Sequence, residues 1–294
     1  MQVYSPFLSI TICKCILCTC IMILLKFILV GVLITSVKSD NAADEDLIIT
    51  KSQKDALDKF KSRVLPILPR NYMKEDVYLI RWLRAKDFKI DEAERFLKAD
   101  LKWRKSTKIE TLRLEDFSDI SSDYPVYVDT YDKNGAPVIT AIAGQWNLRT
   151  VHLSGLADRA QLFLDKVMDG AAAQVRRVQT EGKNVTRFLF LLNLEGFNLV
   201  EHGCPRCFLG IVTFLQSYES HFPGLTDKIV IFNAPPTVQA VRPIVRQAIS
   251  THTRRHIKIF GSNKVEWRRY LLDFIDEDQL TEDFGGTRIR YSEL

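Results

Sequence analysis

Cys204-Pro-Arg-Cys207 carries the spacing of a thiol redox pair or of half a zinc site, with His202 two residues upstream. No second cysteine pair exists in the body of the chain, and the motif opens a helix after the wrong strand for a thioredoxin. The two cysteines therefore read as structural or incidental thiols. His252-x-x-x-His256 has metal-ligand spacing, but its helix ends there and Arg254 and Arg255 repel a cation. Ser154 lacks the glycines of a nucleophile elbow. No Gly-x-Gly-x-x-Gly follows an expected strand, and no phosphate-binding Gly-x-x-x-x-Gly-Lys-Ser/Thr loop occurs. Glu195 and Asn233 are the only polar candidates at strand ends, and both read as turn residues. No catalytic residue, metal or cofactor is assigned.

What remains is the scaffold that would position any site. Its centre is Arg187-Phe-Leu-Phe-Leu-Leu-Asn-Leu-Glu-Gly-Phe197, a short apolar run closed by glycine. Such a run predicts a strand buried on both faces, as in a parallel sheet. Helical spacing flanks it, from Leu156 to Thr180 and from Pro205 to Phe222. The expected class is α/β: a mixed, mainly parallel sheet flanked by helices, with a small N-terminal helical subdomain. At 294 residues, 46% hydrophobic and 26% charged, the chain can bury a sizeable core. A net charge of +5 permits attraction to an anionic membrane surface but does not argue for nucleic acid.

Along the chain, residues 1–39 form a hydrophobic leader. Cys15 to Val37 is almost wholly apolar, with Lys26 its only charge, and about 20 such residues span a bilayer. It reads as a membrane anchor with the folded domain on the cytoplasmic side; a cleaved signal followed by secretion, or an inert extension, are the alternatives. Four of the six cysteines lie here, and nothing resembles a disulfide framework. Residues 40–50 are acidic and polar, a linker by composition. Residues 51–118 carry three helical patterns: one broken by Pro66 and Pro69, one over Asp76 to Phe88, and one from Ile90 to Arg104 with Asp91 and Glu94 as a capping box. Residues 119–290 hold a hairpin around Asn134-Gly135, then βα units. Pro243 is expected to kink a helix running to about Thr251.

Several of these segments together resemble one family. Leu79-Ile-Arg-Trp-Leu-Arg-Ala-Lys-Asp-Phe88, Ala93-Glu94 and Trp103-Arg104 are similar to the N-terminal helices of the CRAL-TRIO lipid-transfer proteins. The likeness continues through Asn193-Leu-Glu-Gly196, Tyr218 to Pro223, Phe232-Asn-Ala-Pro235, Arg242-Pro243, Lys258-Ile259 and Asp283-Phe-Gly-Gly-Thr287. It covers about residues 51–290 in order. It looks closest to the animal tocopherol- and squalene-associated branch, related to the yeast phosphatidylinositol-transfer protein, with the chain ending before that branch's C-terminal β domain.

The resemblance implies a sheet flooring a deep apolar pocket, with the segment from Pro235 to Thr251 as a mobile gate. Strand alternation and that gate suggest Phe188, Phe190, Leu192, Phe208, Val212, Leu215, Ile229, Ile231, Val238, Val241 and Ile244 as lipid-binding residues. Arg242 and Arg246 would meet headgroups or the membrane. Where phosphatidylinositol-binding members usually read Tyr-Pro-Glu-Arg, this chain has Phe222-Pro-Gly-Leu225, and Arg242 replaces a lysine. An acceptor for inositol hydroxyls is lost, which favours a less polar ligand such as a tocopherol or isoprenoid over a phospholipid. The implied protein is a non-enzymatic, monomeric lipid carrier. Its rivals are an enzyme acting on a lipid or metabolite, and a membrane-tethered scaffold with a collapsed pocket.

Overall fold

The computed structural model describes residues 42–289. The leader lies outside the described residues, and among the described residues no helix is long and apolar enough to cross a membrane. Residues 40–50, expected as a linker, hold a short helix α1 (Ala42–Leu47), from which Asp46 is buried. Composition misled because the partners of that acid, Arg84 and Arg187, lie far along the chain.

Thr50 starts α2 (Lys51–Val64). Its hydroxyl accepts the Gln53 backbone N–H and the Gln53 side chain accepts that of Thr50, a reciprocal capping box. α3 (Asp76–Arg84) stops short of Phe88, because Asp87 and Phe88 both take positive φ. α4 (Ile90–Thr107) begins without a side-chain cap. The capping box expected at Asp91 and Glu94 does not form; both carboxylates pair with Arg63, at 2.8 and 2.5 Å. Leu57, Phe60, Leu79, Trp82, Leu83 and Leu97 make a core of their own between these helices. Short helices α5 (Ile109–Leu112) and α6 (Ser118–Ser121) lead into the sheet.

Strand β1 (Val126–Tyr131) pairs antiparallel with β2 (Pro137–Ala141). The hairpin closes as Asn134-Gly135 foretold: Asp132 accepts the Asn134 and Ala136 N–H groups, and Gly135 sits at φ +84°. Helices α7 (Leu148–Leu153) and α8 (Ala157–Thr180) precede β3 (Phe188–Asn193). Helices α9 (Leu199–His202) and α10 (Pro205–His221) lead to β4 (Thr226–Phe232). A 3-10 turn at Pro236–Ala240, α11 (Arg242–Ala248) and α12 (Thr251–Arg255) precede β5 (Ile257–Ile259), and α13 (Lys264–Leu272) follows. Pro243 does not kink one long helix. It sits in the first turn of a new one, where its missing N–H costs nothing.

The strand order is β1-β2-β3-β4-β5, with every pairing after the first parallel. Three successive crossovers step one strand at a time in the same direction. Because parallel crossovers are right-handed, all three must lie on the same face of the sheet. That face receives α8, α10 and the 235–255 segment. The opposite face is packed solid by α13: Phe232 stacks on Trp267 at 4.5 Å and meets Phe284 edge-on at 5.6 Å.

Candidate functional site

Alternation in β3 divides its side chains between the two faces. Leu189 and Leu191 go into the packed core, while Phe188, Phe190 and Leu192 face the crossover helices. There the structure holds a deep, partly open cavity of about 1430 Å³. That exceeds the roughly 300–1,000 Å³ of a drug-sized ligand site. β3, β4 and β5 make its floor, α8 and α10 its walls, and residues 235–249 its cover.

The cavity settles which face each expected residue takes. Phe188, Phe190, Leu192, Ile229 and Ile231 all line it from the strands, and Leu215, Val238 and Val241 line it from the helices and cover. Phe208, Val212 and Ile244 do not. On α10 the cavity edge runs Cys207, Gly210/Ile211, Phe214/Leu215 and Tyr218, so the helix is rotated from the face that Phe208 and Val212 suggested. On the cover, Val241, Val245 and Ile249 point inward four residues apart, which leaves Ile244 outside. Sequence reading missed the contributions of α7 and α8, among them Val151, Phe163, Leu164 and Met168. The spacing of α8 marked a buried face without saying whether protein or empty space lay against it, and α7 was not foreseen.

The charge of the lining is one-sided. Arg242, Arg246, Arg254 and Arg255 border the cavity against a single carboxylate, Asp158. Residues 235–255 carry no aspartate or glutamate. Inside, Tyr124, Gln161, Tyr218 and Thr226 supply hydroxyl and amide groups. The Tyr218 hydroxyl already donates to Thr226 at 2.7 Å, and Tyr124 donates to the Asn147 carbonyl at 2.9 Å. Burial, then the charge of Arg206, pushes the His152 imidazole below its ordinary range. The wall is therefore greasy, with few unspent polar atoms.

The strand-end candidates are structural. Asn233 donates to Asn193 at 3.0 Å and accepts from the Trp267 indole at 3.2 Å, while Asn193 donates to the Asp283 carbonyl. Glu195 is exposed. His252 and His256 do face each other, 4.9 Å between rings, but His256 is held by the Asp227 carbonyl, and no cluster with metal-ligand geometry exists among the described residues. Gly224 sits at φ +65°, a backbone state that suits glycine at this turn. Cys204 and Cys207 are joined in a disulfide, where the sequence suggested structural or incidental thiols.

The cover is held at its far end. The Ser250 backbone N–H and hydroxyl both donate to the Glu219 carboxylate on α10, at 3.0 and 3.2 Å. At its near end the Ala234 N–H donates to the Phe260 carbonyl at 3.1 Å, and Pro235 and Pro236 open the 3-10 turn. Two fixed points bracket a short stretch of 3-10 turn and helix over a hollow interior.

A sequentially ordered sheet with all its crossovers on one face, roofing an apolar chamber, defines an α/β domain built to enclose a hydrophobic small molecule. The sequence profile of the CRAL/TRIO domain matches residues 121–286, and the chain belongs to that family. Proteins of this family bind lipophilic ligands and transfer them. Patellin-4 of Arabidopsis thaliana is 25% identical over 223 residues, covering 76% of this chain and 40% of its own length. Protein real-time of Anopheles gambiae is 24% identical over 213 residues, covering 71% of this chain and 31% of its own. The chain thus spans well under half of these relatives. The crystal structure of Sfh5 superposes with a TM-score of 0.66 at 14% identity, over 83% of this chain and 90% of that one, and shows the same fold.

Proposed function

We propose that the chain takes a single hydrophobic lipid into the cavity beneath residues 235–249 and carries or presents it at membranes, without chemical conversion. The observation that supports this is the partly open, largely apolar cavity of about 1430 Å³ where a catalytic domain would place polar groups. Removing an acyl chain of about 16 carbons from a bilayer costs roughly 13 kcal/mol, at about 0.8 per methylene. Only an equally apolar chamber can offset that, and a cover must move to admit the lipid. The eight lining residues Phe188, Phe190, Leu192, Leu215, Ile229, Ile231, Val238 and Val241 would contact the tail.

Arg242 and Arg246 on the cover are exposed as well as bordering the cavity, the placement expected of groups that meet anionic headgroups. Elsewhere on the surface, Leu153 on α7, Leu199 and Val200 on α9 and Leu209 on α10 are 71%, 44%, 70% and 64% exposed, on helices that pack together. Exposed apolar side chains and cations both suit the surface of a bilayer. The Phe222-Pro-Gly-Leu225 turn carries no acceptor for inositol, so a tocopherol or isoprenoid is the preferred cargo over a phospholipid. The leader would hold the protein at a membrane, with the folded domain acting as a monomer on the cytoplasmic side.

Lipid extraction of the purified full chain, followed by mass spectrometry, tests this directly. One bound lipid per chain, and movement of labelled lipid between vesicles, is the expected result. An empty chain that moves no tocopherol, sterol precursor or phospholipid would leave the scaffold reading standing instead.

A further inference from the structure

We propose that Cys204 and Cys207 form a reversible dithiol–disulfide site, which exchanges with external dithiols through Cys204. The bridge closes the first turn of α10, a 17-residue helix. Cys204 is the N-cap and is partly exposed, whereas Cys207 is 1% exposed and forms part of the cavity wall. The two sulfurs therefore differ in access: an incoming thiolate can reach only Cys204.

The same position stabilises the anion that exchange produces. The Cys204 Sγ already accepts the Cys207 backbone N–H at 3.0 Å, one of the unpaired donors of the helix start. Pro205 fills the first helical position, and Arg206, exposed, stands between the two cysteines. Helix N-termini, Cys-x-x-Cys spacing and a nearby cation each lower a thiol pKa from its usual value of about 8.5. Here the first two meet at the accessible sulfur, and Arg206 lies two residues further along the helix.

The exchange balances with a dithiol as reductant. Its thiolate attacks Cys204 Sγ, the Cys204–Cys207 bond breaks, and the electron pair passes to Cys207 Sγ, which takes up a proton. The second thiol of the reductant then attacks the mixed disulfide and releases Cys204 as a thiolate. Two electrons move from dithiol to protein; one of the dithiol's two protons ends on Cys207, the other goes to water while Cys204 stays a thiolate, and the reductant leaves as its disulfide. This proposal stands apart from the lipid reading and would hold for an empty chain.

The test uses the full chain. Arg206 places the two cysteines on separate tryptic peptides, 188–206 and 207–228, so alkylation at each is read by mass without interference from the leader cysteines. The folded protein is equilibrated in reduced and oxidised dithiothreitol mixtures at pH 7, alkylated and digested, with circular dichroism recording the fold. The expected result is complete and reversible interconversion of the pair in the folded chain. In Cys207→Ser, Cys204 should react with glutathione disulfide at least tenfold faster than Cys207 does in Cys204→Ser, with a rate that levels off below pH 8. Sulfurs that yield to dithiol only after urea unfolding, or equal rates at the two positions, would overturn the proposal. If either variant fails to fold, the wild-type titration decides alone.

Discussion

Arg187 grips Asp46 with two parallel hydrogen bonds, Nε to Oδ2 at 2.9 Å and an Nη to Oδ1 at 2.7 Å, although 141 residues separate them. Asp46 is 3% exposed and Arg187 2% exposed. Arg84 adds a third bond to the same carboxylate at 2.6 Å, and Arg81 caps the Thr186 carbonyl beside it. The short helix at residues 42–47 is thereby fixed to the residue that precedes the central strand.

Asp46→Ala should therefore cost far more than a surface change. Removing one partner of a buried pair strands the other charge, at about 3–5 kcal/mol. Glu45 also reaches Arg187, at 3.1 Å, but its side chain is 52% exposed, so Glu45→Ala should cost under about 1 kcal/mol. Urea unfolding of the two variants beside wild type measures both. A D46A midpoint indistinguishable from that of E45A would show that α1 contributes nothing to the fold.

The same cluster sets an acid profile with two windows. Burial raises the Asp46 carboxyl, but hydrogen bonds and charge from Arg187, with Arg81 and Thr186, outweigh it and hold the pKa below the usual range. Its stabilisation is present above about pH 4 and is lost only as pH falls through the depressed value. His252 behaves differently. Burial, then His256 and Arg187, lower its pKa to about 4. Between about pH 6.5 and 4 the unfolded chain binds a proton that the native chain refuses, so stability declines across that window. His252→Gln should flatten the decline above pH 4 and leave the fall below it. Thermal melting at half-unit pH steps reads both, and an unchanged slope in H252Q would remove the histidine from the account.

The order of elements could be read from sequence because each left a local mark. The 188–193 run is continuous and apolar, Asn134-Gly135 marks a turn, and Pro205 marks a helix start. The faces of the strands were legible only as alternatives, since a strand covered on both sides shows no polar stripe. Packing against Trp267 on one side and emptiness on the other decided them. Three things left no local trace. The rotation of α10 that turns Phe208 away depends on the helix it packs against. The pairing of Asp46 with Arg187 is a long-range contact hidden in an acidic stretch that reads as solvent-exposed. The break at Val241 replaces a kink because proline is tolerated in a first turn, and composition does not say where a first turn falls.

Glu219 and Ser250 predict a hinge. Their two bonds fix the end of the cover to α10, and breaking them should free that end without touching the cavity wall. Glu219→Ala should raise the rate of lipid exchange between vesicles severalfold while the amount bound at equilibrium changes little. The tail contacts are kept, and the latch is lost from the loaded and the empty closed state alike, so only the barrier moves. Stopped-flow dequenching of a fluorescent lipid separates rate from amount. A lower equilibrium load with an unchanged rate would place Glu219 in binding rather than in motion.

Val241 tests the cover itself. It is 7% exposed, faces the cavity and lies at the junction between the 3-10 turn and α11. In Val241→Asp the closed, loaded state must bury a carboxylate against a hydrocarbon chain, whereas an open cover leaves it in water. Burying a charge without a partner is unfavourable enough to shift that balance strongly toward open. Lipid retention and vesicle-to-vesicle transfer should fall at least tenfold. The melting temperature should shift by only a few degrees, because the sheet and the α13 face are untouched. Val241→Ala, which removes two methyl groups and adds no charge, should keep most of the transfer. Full transfer by V241D, measured beside V241A, would mean that lipid enters by another route and that residues 235–249 are a fixed roof.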